Sequence, residues 1–157
     1  MERLNADPVF TRYLSPTGAP FTPEESRAAL ARYRAHWEEH GYGVWAVEER
    51  ASGRLIGRIG LSHHRLWPQD VEVGWALEPA VWGRGYATEG GGAALDHAFT
   101  TLGLGRVVSI VHPANAASIA VMTRLGIEPW RSVWWPEGDL ELEVHAIPRD
   151  KWAQSHA

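Results

Sequence analysis

The segment Trp82-Gly83-Arg84-Gly85-Tyr86-Ala87-Thr88-Glu89 decides how this chain reads. Before it lies Val71-Glu72-Val73-Gly74-Trp75-Ala76-Leu77, an alternating stretch. On a strand, Val71, Val73, Trp75 and Leu77 share one face, and Glu72, Gly74 and Ala76 share the other. After it, Ala87, Gly91, Ala94, Leu95, Ala98, Phe99 and Leu102 recur at helical spacing and form one apolar face. A glycine-rich turn between a strand and a helix lets backbone approach a ligand closely. Free N–H groups at the helix start attract phosphate, helped by the helix dipole with about 1 kcal/mol. A P-loop needs Gly-Lys-Ser/Thr at its end, which is absent. A dinucleotide fingerprint needs glycine where Thr88 stands and an early parallel unit, and both fail. By itself a Gly-x-Gly also fits a purely structural turn.

Reading outward, the element order is helix, helix, three strands, helix, strand, helix, two strands. Residues 1–14 suit a short helix whose second piece opens at Asp7-Pro8, and residues 15–20 form a loop. Thr22, Pro23 and Glu25 make a capping box ahead of a packing helix that carries Leu30, Tyr33 and Trp37 and ends at His40-Gly41. Strands are expected at 43–49, 55–61 and 71–77, with a turn region at 64–69. Their connections are too short for helical crossovers, so they predict an antiparallel meander. A strand at 106–112 follows. Asn115 then caps a helix bearing Ile119, Met122 and Leu125, closed by Gly126. Two strands at 128–135 and 139–147, split by Pro136-Glu137-Gly138, complete the chain.

Composition narrows the class. The 157 residues suit a single domain spanning 1–157. With 45% hydrophobic and 22% charged residues the chain is of ordinary globular type, not disordered. It has no cysteine, which removes disulfides, thiolate metal sites and cysteine nucleophiles. A net charge of -4 argues against nucleic acid or an anionic membrane as partner. No apolar run reaches the roughly 20 residues of a membrane span, and the start lacks a signal peptide's apolar stretch. The expected compartment is therefore cytoplasmic. Nine Trp are unusual at this length. Trp37, Trp45 and Trp75 read as core. Trp67, Trp130, Trp134 and Trp135 fall in or near loops, as an acceptor pocket or a dimer surface.

Taken together, Val73-Gly74-Trp75-Ala76-Leu77-Glu78-Pro79, the glycine segment, Asn115-Ala116-Ala117-Ser118 and Arg124-Leu125-Gly126-Ile127 resemble the GNAT acyl-CoA N-acyltransferase superfamily. More narrowly, they resemble its ribosomal-protein-alanine N-acetyltransferase branch. The resemblance covers residues 5–152 in element order, with its specific motifs at about 72–127. It implies an α+β fold: a mixed, mostly antiparallel central sheet flanked by helices, splayed open between the strands at 71–77 and 106–112. Acetyl-CoA would occupy that opening as co-substrate, with no metal. The implied binding residues are Trp75, Ala76 and Leu77 beside the pantetheine arm, Trp82, Gly83, Arg84, Gly85, Tyr86, Ala87 and Thr88 around the pyrophosphate, and Asn115.

The implied reaction is direct acetyl transfer from the thioester to a primary amine, on a peptide N-terminus or a small molecule. An ammonium has no lone pair. With α-amines near pKa 8 and lysine near 10.4, a base or water chain must remove a proton. Glu72, on the implied cofactor strand, is the first candidate base, and a solvated or salt-bridged sheet carboxylate is the competing reading. Glu137 in the last hairpin is the second, against an ordinary turn carboxylate. His63 and His112 are further candidates. Many relatives carry a tyrosine acid seven residues after the asparagine, where this chain has Met122. Ser118 is the alternative proton donor to sulfur, against a simple capping role. His63-His64 point to opposite faces of a strand. His36 and His40 lie four apart on a helix with no third ligand evident, so no metal site is expected.

The pattern departs from the family at its start. Asn5-Ala6-Asp7-Pro8 and Arg12-Tyr13-Leu14 match the end of the family's first helix, so the first edge strand is missing. That leaves the strand at 43–49 as an open edge, to be covered by a partner chain (a homodimer) or by sequence upstream. An acetyl-CoA-dependent N-acetyltransferase is the reading these features support. Its alternatives are a non-catalytic acyl-CoA-binding or scaffold domain, and a module for another phosphate ligand.

Overall fold

A computed structural model describes residues 1–64 and 67–155. Two short helices, α1 (Glu2–Asn5) and α2 (Pro8–Thr11), lead to α3 (Pro23–His40). Then come β1 (Val44–Glu49), β2 (Arg54–His64), β3 (Trp67–Leu77), α4 (Tyr86–Asp96), β4 (Arg106–Val111), α5 (Ala116–Arg124), β5 (Glu128–Trp135), β6 (Leu140–Pro148) and α6 (Arg149–Ser155).

Local chemistry sets the helix starts. The Asp7 carboxylate accepts from the N–H groups of Val9 and Phe10, opening α2 at the expected Asp7-Pro8. Thr22 Oγ1 accepts from Glu25 N–H at 3.1 Å and the Glu25 carboxylate accepts from Thr22 N–H at 2.7 Å, so the capping box is complete. Asn115 Oδ1 accepts from Ser118 N–H at 3.2 Å, capping α5.

The six strands form one sheet in the order β1-β2-β3-β4-β6-β5. Every pairing is antiparallel except β3 with β4, which is parallel and meets at one pair, Glu72 with Val108. Beyond that pair the two strands diverge, and side chains take over from backbone. Ser109 Oγ–H donates to the Val73 carbonyl at 2.9 Å, and the Glu72 carboxylate accepts from the N–H of Ile110. The splayed, mostly antiparallel sheet implied by the resemblance is therefore present.

Alternation sorts the two faces of the sheet. Leu61, Val73, Val107 and Val111 pack with Ala94 and Leu95 of α4, Ala98 just beyond it and Met122 of α5 in the main core. The glycines of α4 let it sit close to its neighbours: a Cβ at Gly90 would lie 2.4 Å from Ile59 Cδ1, and one at Gly91 2.8 Å from Leu125 Cδ1. On the opposite face, Phe10 of α2 and Tyr33 of α3 lie over Arg58 of β2, while β4 continues into β6 and β5.

Several expectations are corrected. The second strand runs on to His64 and the third begins at Trp67, because His64 pairs with Trp67 in the ladder and their rings stack at 4.3 Å. The expected turn at 64–69 is thus mostly strand; residues 65–66 lie outside the described residues. Trp67 is the first residue of β3. The helix at α4 continues as a wider turn over His97–Thr101. Helix α6 went unread, because seven residues carry too little periodicity. It is held by Trp152, which is buried and donates to Asp96 Oδ1 at 2.9 Å. Among the described residues nothing pairs with the outer edge of β1.

Candidate active site

The divergence of β3 and β4 opens a cavity of about 310 Å³ on the face away from α4. Its floor is Glu72, Gly74 and Ala76 of β3, flanked by Arg58, Gly60, Ser62 and His64 of β2. These two sets share a face because the ladder pairs Arg58 with Ala76, Gly60 with Gly74 and Ser62 with Glu72. Tyr13, Ala29 and Tyr33 wall the cavity from the helical side, and Ile110, Leu142 and Trp135 from the other. Asn115 and Ser118 close the end nearest α5.

Glu72 is the cavity's carboxylate. Burial away from water pushes its pKa up to about 7, and the Ile110 N–H only partly opposes this. A carboxylate tuned to neutrality, in a cleft, is suited to take and release a proton near pH 7. Ser118 stands in the first turn of α5, where its Oγ accepts from the Trp75 indole N–H at 3.2 Å. That contact uses an oxygen lone pair and leaves the hydroxyl proton free to donate. Asn115 spends its carbonyl oxygen on the helix cap. His112 lines the cavity, and its Nδ1 accepts from Ala114 N–H at 3.0 Å, so in the neutral ring the proton sits on Nε2. Nε2 is then a donor. Glu137 is exposed in the turn Pro136–Gly138 and does not line the cavity.

The glycine segment leads from β3 into α4. Gly83 and Gly85 have φ of +75° and +86°, a region that side chains oppose. A Cβ at either would meet nothing within 4 Å, so each glycine is there for conformation. Gly85 is the N-cap of α4 and no side chain caps the helix, leaving its first N–H groups, at Tyr86, Ala87 and Thr88, for an outside acceptor. Arg84 lies back against β1: its guanidinium meets Glu49 Oε1 at 3.0 Å, and the Tyr86 hydroxyl donates to the same oxygen at 3.2 Å. Hydrogen bonds from Ser52 and Tyr86 and the Arg84 charge hold Glu49 below the usual carboxylate range. Trp82 is exposed, and its indole N–H donates to the Leu77 carbonyl at 2.7 Å. The Leu77 side chain is buried with Ile56, Ile59 and Val81. It does not line the cavity.

The structure therefore gathers Glu72, Trp75, Ala76, Asn115 and Ser118 about one cavity, and sets residues 82–88 at the start of α4. It leaves Glu137 outside. Sequence reasoning missed Arg58, which is buried, donates to Asn5 Oδ1 at 3.1 Å and lies over the Phe10 and Tyr33 rings. The signal was present in the small and polar residues at every second position of β2. Of the tryptophans of β5, Trp135 lines the cavity, Trp134 is exposed, and Trp130 stacks under Arg106 and Arg131 at 4.1 and 4.9 Å. One ligand count is also corrected. His36 and His40 do have a third imidazole beside them, His63, which sequence spacing had no means of showing.

Comparison with known proteins agrees with this geometry. Residues 1–128 match the family model described as an acetyltransferase (GNAT) domain. The uncharacterized protein YkkB of Bacillus subtilis is 35% identical over 92 residues, 57% of this chain; the chain spans little more than half of that relative, 54%. The FsC-acetyl coenzyme A-N(2)-transacetylase of Aspergillus fumigatus is 29% identical over 164 residues, covering 96% of this chain and 68% of that protein. Among solved structures, the acetyltransferase from Agrobacterium tumefaciens superposes with a TM-score of 0.78 at 31% identity, covering 93% of this chain and 81% of that one.

Proposed function

The chain belongs to the GNAT acetyltransferase family, and from that premise we propose that it is an N-acetyltransferase moving acetyl from acetyl-CoA to a primary amine. The observation that carries this reading is Glu72, a single carboxylate raised to about 7 on the floor of the cavity where β3 and β4 diverge. Residues 1–157 act as one catalytic domain, and transfer is direct, in a ternary complex.

The cofactor's pyrophosphate meets the N–H groups of residues 83–88, where the uncapped α4 start concentrates partial positive charge. Its pantetheine arm runs along β3 by Trp75 and Ala76, with Asn115 beside it. The amine arrives as an ammonium. Ionised Glu72 takes its proton, directly or through water, and the freed lone pair attacks the thioester carbonyl. The new C–N bond forms as the C–S bond breaks; Ser118 gives the departing sulfur its proton and recovers one from the nitrogen, whose second proton is shed as the amide forms. Trp75 orients Ser118 by fixing one lone pair.

The acceptor is a small molecule or peptide N-terminus that fits among Tyr13, Tyr33 and Trp135. The test is thiol release from acetyl-CoA over a panel of primary amines, with binding followed by calorimetry. Selective acetyl-CoA binding with amine-dependent turnover, abolished in Glu72→Gln, is expected. Acetyl-CoA binding without turnover on any amine would favour the non-catalytic binding domain. Full turnover in Glu72→Gln would remove Glu72 as base.

A further inference from the structure

Away from the transfer site, three imidazoles meet where the end of α3 crosses the sheet edge. His36 and His40 occupy one face of the last turns of α3, and His63 lies on β2 past the end of β1, whose Val44 pairs with Gly60. One ligand nitrogen from each lies within 4.8 Å of the other two. Their ring centroids stand 4.4, 4.9 and 5.8 Å apart. His63 stands 23 positions after His40 and 27 after His36, so the tertiary fold creates the cluster.

The surrounding hydrogen bonds prepare the rings as ligands. His36 Nδ1 lies 2.9 Å from the Tyr42 carbonyl, which accepts only, so Nδ1 carries the proton and Nε2 keeps its lone pair. A carbonyl accepting from the far ring nitrogen orients metal-binding histidines in this way. A cation at Nε2 competes with one 3.2 Å contact from the backbone N–H of His63. The His63 Nε2 shares a hydrogen bond with the Tyr42 hydroxyl at 2.9 Å, while its buried Nδ1 has no hydrogen-bond partner. A buried nitrogen without a partner calls for a proton acceptor, a water or a cation. The Glu39 carboxylate lies 3.8 Å from His40 Nε2 and offsets positive charge there.

We propose that His36, His40 and His63 bind a divalent transition metal of the zinc, nickel or copper class, clamping the last turn of α3 to β2. Three imidazoles select such ions over magnesium or calcium, which prefer oxygen. The clamp bears on the cavity, because α3 also supplies Ala29 and Tyr33 to its wall and β2 supplies Ser62 and His64. It does not depend on the acetyl-transfer reading.

The test is calorimetric titration of zinc into the metal-free, untagged full chain, with magnesium as control and cobalt absorption as a second probe. One zinc per chain is expected, with no magnesium binding and the cobalt bands of nitrogen ligation. At a hundredfold excess over Kd, zinc should raise Tm by about 5–10 °C. His63→Gln and the exposed His40→Ala should each weaken binding at least tenfold, so that a folding failure in the former leaves the latter decisive. Absence of saturable zinc binding overturns the proposal. So does wild-type affinity in both variants, which places the metal elsewhere. Wild-type affinity in a folded His63→Gln also overturns it, since the helical pair alone then holds the ion.

Discussion

Replacing Glu72 with Gln tests the site through stability as well as rate. The folded carboxyl has its pKa raised from 4.5 to about 7. Between those values the native state holds a proton that the unfolded chain has released, so stability falls as pH rises through this window. The favourable contribution is complete below about 4.5 and lost above about 7. A difference of two to three pKa units corresponds to about 3 kcal/mol. Gln is neutral at every pH, nearly the same shape, and keeps an oxygen for the Ile110 N–H. Glu72→Gln should therefore gain about 3 kcal/mol over wild type near pH 8, and little or nothing near pH 4.5. Urea unfolding of both proteins at the two pH values measures this, and other carboxylates cancel in the comparison. The same variant should lose about 10²–10⁴-fold in kcat, while wild-type kcat/KM rises with pH through about 7. A stability difference that does not change between the two pH values would refute the claim that burial perturbs this carboxyl, and with it the reason for choosing it as base.

Other substitutions probe the remaining parts. Gly85→Ala forces a side chain to φ of +86° and should cost about 1–2 kcal/mol of stability; calorimetry should also show weaker acetyl-CoA binding. Ser118→Ala removes the hydroxyl beside Trp75 and should lower kcat by about 10²-fold with KM for acetyl-CoA little changed, whereas an unchanged kcat would mean that Ser118 only packs. Asp70 joins Arg106 and Arg131 at 3.0 and 2.9 Å, but both guanidiniums reach solvent, so Asp70→Asn should cost about 1–2 kcal/mol, not the larger penalty of a fully buried pair. A urea midpoint lowered at constant m-value is the expected signature.

The amino-acid pattern determined whatever is local. Alternation in 71–77 told which face Glu72 occupies, and the capping box at Thr22 and the glycines at 83 and 85 marked where helices begin, because these signals act within a few residues. The short connections required an antiparallel meander for β1 to β3. Where the pattern had several meanings, only the tertiary structure decided. Glu72 and Glu137 are both carboxylates on paper; packing of α3, β2 and β6 around one of them takes water from Glu72 and leaves Glu137 exposed. Arg58 reads as a surface residue until Asn5, Phe10 and Tyr33 close over it. Helix α6 depends on Trp152 reaching Asp96, a contact across 56 positions. The same holds for His63 beside His36 and His40: the spacing that puts two histidines on one helix face is written in sequence, but the third arrives by strand register. Burial and long-range proximity depend on the whole chain's packing, which no short window of residues contains.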